Sequence, residues 1–83
     1  AETMVLDILV IDDEPELRGT LEDALTDAGH TVTSAADGVE GLERASRRVF
    51  DVVICDVRLP RLDGLQLLRR VRQESPTTDV VLM

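Results

Sequence analysis

Four acidic residues stand where short apolar runs end. Asp12, Asp13 and Glu14 follow residues 8–11, and Asp56 follows Val52 to Cys55. In parallel α/β sheets, sites lie outside the carboxyl ends of the strands. If these two runs are neighbouring strands, three aspartate carboxylates converge. Two unit charges ~4 Å apart repel by about 4 kcal/mol at an effective dielectric of about 20. An unpaired acidic trio is therefore unstable or shifts its pKa values, and a hard divalent cation resolves the conflict. A few oxygen ligands suit Mg²⁺, which keeps several waters and often meets a phosphate. The chemistry expected there is phosphoryl transfer, with a carboxylate attacking phosphorus to give an aspartyl phosphate and the ion offsetting charge on the transferring group.

The elements that must position these residues are legible from hydrophobic pattern. Residues 8–11, 31–34, 52–55 and 80–83 read as strands, mostly β-branched. Three are continuous apolar runs, as in strands covered on both faces. Helical spacing lies between them. Leu17, Leu21, Ala24, Leu25 and Ala28 form one stripe, with Pro15 in its first turn and Gly29 just past its end. Asp37 caps a second helix whose stripe is Val39, Leu42, Ala45 and Val49. Its acids Glu40 and Glu43 fall early and its bases Arg44, Arg47 and Arg48 late, as the helix dipole favours. Asp63 caps a third, with Leu65, Leu68 and Val71 inward and Ser75-Pro76 as its stop. The expected order is β-α-β-α-β-α-β, a parallel sheet with right-handed crossovers in one domain over residues 1–83.

Composition bounds the rest. The chain has 83 residues, 43% hydrophobic, with Phe50 the only aromatic, so the core must be aliphatic. One cysteine, Cys55, excludes an internal disulfide framework and fits a reducing cytoplasm. It reads as a small core residue rather than a reactive thiol. No run approaches the ~20 apolar residues of a membrane span. The net charge of −8 belongs to residues 1–30, with nine acids against one base, Arg18. That argues against direct nucleic-acid contact by this domain. All nine bases are arginine; the absence of lysine excludes a Schiff base and a P-loop lysine. Gly38 and Gly41 fall short of a dinucleotide fingerprint. His30 reads as a solvent-facing turn residue. Arg69, Arg70 and Arg72 read as a solvated helix face. Gly19, inside the first helix, would admit a close neighbour.

The chain resembles the receiver domain of two-component response regulators. The resemblance rests on Ile8-Leu9-Val10-Ile11-Asp12-Asp13-Glu14, on Val52-Val53-Ile54-Cys55-Asp56-Val57-Arg58-Leu59-Pro60, and on Leu62-Asp63-Gly64. It implies a flavodoxin-like fold, with Asp56 the phosphoacceptor and Mg²⁺ the cofactor. Asp13 would bind the ion directly and Asp12 directly or through water, and Arg58 would contribute its backbone carbonyl. Pro60 and Gly64 would shape the loop into the third helix. The donor would be a phosphohistidine on a sensor histidine kinase. The wider protein would carry an output domain, such as a DNA-binding transcription activator; the segment Asp56 to Pro60 and the ending Val80 to Met83 resemble receivers of transcriptional activators with ATPase output domains. Receivers continue past a fourth strand with a hydroxyl residue, a fifth strand bearing an aromatic switch, a lysine and a last helix. The 83 residues include none of these, so the expectation is an incomplete fold. Its uncovered apolar sheet face would be covered by a homodimer or by the rest of a longer chain.

Two other readings compete. A haloacid-dehalogenase-type phosphatase needs a second Asp two residues after the first, where this chain has Arg58. A receiver-like scaffold that pairs chains without being phosphorylated would need neither lysine nor hydroxyl residue. Asp12 and Asp13 as plain helix caps would explain the first acidic run but not its match with Asp56.

Overall fold

The computed structural model describes residues 4–57 and 64–83. Seven elements alternate: β1 (Asp7–Ile11), α1 (Pro15–Asp27), β2 (Thr31–Ala35), α2 (Gly38–Arg47), β3 (Val52–Cys55), α3 (Gly64–Glu74) and β4 (Asp79–Leu82). The strands form one parallel sheet of order β2-β1-β3-β4. The described residues thus form an α/β fold of flavodoxin-like order, with four strands and three helices, short of the full fold as expected. The expected strands lie within a residue of the observed ones.

The order places β1 in the interior, paired to β2 and β3. Ile11 therefore faces Ala35 on one side and Cys55 on the other, and Cys55 faces Leu82. The carboxyl ends of β1 and β3 are level, which is what the carboxylates need.

Alternation along β1 divides its side chains between two faces. Leu9 and Ile11 join Ala35, Phe50, Val53, Cys55, Leu67 and Val71 in one buried cluster, with Leu42, Ala45, Val80 and Leu82 packed against it. This is the α2–α3 face. Ile8 and Val10 are buried on the opposite, α1 face. That face is thinner: α1 contains no fully buried residue, and Val81 of β4 is 49% exposed.

Three helix stripes are corrected by the structure. Leu67, not Leu65, is the buried leucine of α3, and Leu65 is exposed. Leu67 and Val71 are four apart and share a face, whereas Leu65 sits about 200° around the helix from Leu67. Val39 is exposed, and Val49 lies beyond the α2 cap at Arg48. Of the stripe expected for α1, Leu17, Ala24 and the C-cap Ala28 are exposed, and only Leu21 and Leu25 are half-buried.

Local signals account for the ends. Glu14 is the N-cap of α1, its carboxylate accepting from the Glu16 N–H, and Pro15 opens the helix. Gly29 closes it with φ +98°, a conformation that side chains resist. Asp37 caps α2 by accepting from the Glu40 N–H at 2.8 Å. Asp63 lies outside the described residues. His30 is half-buried rather than solvent-facing. Its Nδ1 accepts from the Leu6 N–H at 3.1 Å and ties the turn to the start of β1. A Cβ added to Gly19 would meet no described atom within 4 Å beyond its own helix backbone and chain neighbours, so this glycine does not mark a close contact.

Candidate phosphoacceptor site

Asp12 is the first residue past β1 and Asp56 the first past β3, and the ladder continues through both backbones. The Asp12 N–H donates to the Ala35 carbonyl and the Asp56 N–H to the Ile11 carbonyl, each at 3.1 Å. Strand pairing thus brings together two residues far apart in sequence. Asp13 follows Asp12 and is exposed; Asp56 is half-buried. One carboxylate oxygen from each of Asp12, Asp13 and Asp56 lies within 4.8 Å of the other two.

Asp12 is the deep member, only 1% exposed. Its Oδ1 accepts from the Glu14 N–H at 2.9 Å, which tightens the turn into α1. Its Oδ2 is buried and has no hydrogen-bond partner among the described residues. A buried carboxylate oxygen without a partner carries a penalty of several kcal/mol in order of magnitude. The all-oxygen donor set and this orphaned oxygen fit a hard cation. Asp12 therefore helps shape the helix start and also presents one oxygen to the trio.

Behind the trio, the Cys55 side chain is buried in the core and its thiol donates to the Asp56 carbonyl at 3.3 Å. Burial, reinforced by the negative charges of Asp56 and Asp12, pushes this thiol from 9.0 up to about 12. It stays protonated and is no rival nucleophile. Val57 continues the rim, its N–H donating to the Met83 carbonyl at 3.3 Å.

Gly64 opens α3. Arg58 and Pro60 lie outside the described residues. Thr78 is buried at the opposite, amino end of β4, where its hydroxyl donates to the Phe50 carbonyl at 2.7 Å. It is remote from the carboxylates, as its place ahead of the strand implies. Sequence reasoning missed Arg18, whose guanidinium reaches the Asp12 carbonyl at 2.7 Å. The available signal was its isolation as the one base among nine acids in the first thirty residues.

Comparison with known proteins agrees with this geometry. The family described as the response regulator receiver domain matches residues 8–83. The DNA-binding transcriptional regulator NtrC of Escherichia coli K12 is 40% identical over 76 residues, which is 92% of this chain and 16% of that protein. The chain thus spans a small part of the transcriptional regulators it matches. Among solved structures, the chemotaxis response regulator CheY4 of Vibrio cholerae superposes with a TM-score of 0.91 at 34% identity, covering 95% of this chain and 68% of that one. The response regulator TrrA of Thermotoga maritima, in complex with Mg²⁺ and BeF, superposes with a TM-score of 0.85 at 32% identity over 90% of this chain and 65% of that one. Parallel order, level strand ends, acidic trio and matched family coincide: the chain belongs to the response regulator receiver domains.

Proposed function

We propose that this domain accepts a phosphoryl group on Asp56 from a phosphohistidine of a sensor histidine kinase. The observation that carries the reading is the meeting of Asp12, Asp13 and Asp56 with the buried Asp12 Oδ2 left without a partner. An Asp56 carboxylate oxygen attacks phosphorus, a P–O bond forms, the P–N bond to the donor histidine breaks, and an acyl phosphate results. Asp12, Asp13 and Asp56, with the Arg58 backbone carbonyl, would hold Mg²⁺. When bound, the ion supplies charge stabilisation for the phosphoryl oxygens. Asp12 fixes the floor of the site from its buried position, and Asp13 and Asp56 remain reachable by a donor. Pro60 and Gly64 would shape the approach to the third helix, as in the receivers this chain resembles. The domain is a phosphoacceptor that assists its own phosphorylation and dephosphorylation rather than an enzyme acting on other substrates.

The transcriptional relatives support an output domain in the full protein, a DNA-binding transcription activator, and the acidic first third of this chain supports a receiver that makes no nucleic-acid contact of its own. No helix among the described residues is long and apolar enough to cross a membrane, and the proposed compartment is the cytoplasm. A second reading, a receiver-like module that pairs chains without phosphorylation, is favoured by the thinly covered α1 face and exposed Val81.

Native mass spectrometry with Mg²⁺, before and after acetyl phosphate, separates the two. Phosphoacceptor chemistry adds one phosphoryl group per chain and releases acetate, and Asp56→Asn abolishes the addition without loss of fold. A folded wild-type chain that gains no phosphoryl group refutes the first reading for this chain and leaves the pairing module.

A further inference from the structure

Among the described residues, Arg18 reaches the acidic trio through a backbone carbonyl rather than a carboxylate. Arg18, the fourth residue of α1, is half-buried, and its Nη1 donates to the Asp12 backbone carbonyl at 2.7 Å. Asp12 is thereby held at three points. Its N–H is fixed by the Ala35 carbonyl, its Oδ1 by the Glu14 N–H and its carbonyl by Arg18. The one polar atom left over is Oδ2, the buried oxygen without a partner.

The carbonyl that Arg18 holds belongs to the peptide between Asp12 and Asp13. The orientation of that planar unit sets the directions in which both residues leave the strand end. Three carboxylates at close range push this strand end toward any rearrangement that separates them. A guanidinium anchored one turn into α1 opposes that rearrangement, because it joins the strand exit to the helix that follows it.

We propose that Arg18 is a positioning residue for the cation site, holding the Asp12–Asp13 peptide so that both carboxylates face the shared centre. This rests on the cation-assisted reading of the trio given above. A charge-only role makes the opposite prediction. A cation beside the site repels Mg²⁺, so its removal would tighten binding. Contact with a backbone carbonyl, rather than with a carboxylate, favours positioning.

The test is a Mg²⁺ titration of the 83-residue chain followed by backbone amide NMR shifts, for wild type, Arg18→Met and Arg18→Lys. Thermal unfolding in EDTA establishes that each variant is folded at the titration temperature. Wild type is expected to saturate, with shifts centred on Asp12, Asp13 and Asp56. Arg18→Met is expected to bind Mg²⁺ about tenfold more weakly, the scale of losing a group that orients metal ligands. Arg18→Lys, whose ammonium can donate to the same carbonyl, is expected to recover part of that affinity. Loss of fold alone would not order the folded variants in this way. A folded Arg18→Met variant that binds Mg²⁺ as tightly as wild type, or more tightly, overturns the positioning role, and so does a folded Arg18→Lys variant that binds no better than Arg18→Met. Wild type that shows no saturable Mg²⁺ response overturns the cation-assisted reading itself, and the role with it.

Discussion

Cys55 links the site to the core, with its thiol in the aliphatic cluster and its successor the proposed phosphoacceptor. Its raised pKa has a consequence for stability. Unfolded, the thiol ionises near 9; folded, it holds its proton to about 12. Above pH 9 the unfolded chain therefore binds fewer protons than the folded one, and stability falls as pH rises between these values. The contribution is fully present below pH 9 and about 1 kcal/mol of it is gone by pH 10. Urea unfolding at pH 8 and pH 10 measures the loss, and Cys55→Ala should remove this part of the alkaline slope. At the same scale, residue type made Asp12, Asp13 and Asp56 legible in the sequence, because three acids at strand ends have few structural uses. Arg18 stood out only as the one base among nine acids, and its role was not legible, because a bond to a backbone carbonyl leaves no signature in the residue it touches. His30 was misread for the same reason: its partner is the Leu6 N–H.

At the scale of elements, hydrophobic runs and caps located the strands and helices, and packing decided which helix face was buried. In α3 the leucines at 65, 67 and 68 allow more than one inward stripe, and only the contact with the sheet selects Leu67. The α2–sheet contact is more tightly specified. A Cβ on Gly41 would fall inside contact distance of Ile11 Cδ1 and 2.8 Å from its Cγ1. Gly41→Ala should therefore destabilise the fold by about 1–3 kcal/mol through overpacking, despite alanine's better helix propensity. Denaturant midpoints would show it; an unchanged or higher midpoint would mean that Ile11 repacks freely. The cap of the same helix is a milder control, and Asp37→Ala should cost about 1 kcal/mol. At the amino end of β4, Thr78→Val keeps shape and burial but removes the donor to the Phe50 carbonyl. A loss of about 1–2 kcal/mol in the same assay is expected, because a buried acceptor is left unpaired.

For the whole molecule, the two faces of the sheet are unequal. Phe50, Leu67 and Val71 help seal the α2–α3 side, whereas α1 leaves Val81 and the edge around it open to water. Exposed aliphatic surface of this kind drives association. Sedimentation velocity over a range of concentrations should show self-association, and Val81→Thr, which keeps the β-branch, should weaken it. A concentration-independent monomer would show that α1 covers enough of the sheet. The parallel order has a further effect, on the sequence of events in folding. No two neighbouring strands are joined by a tight hairpin, and every ladder joins segments separated by a helix. Loop-closure entropy must be met before any ladder repays it. Asp12 and Asp56 meet only when β1 has found β3, after two crossovers are complete. A cation that needs all three carboxylates therefore binds only the finished sheet. It should slow global unfolding while leaving early collapse unchanged, making the acidic cluster a checkpoint on the native state as well as the proposed site for chemistry.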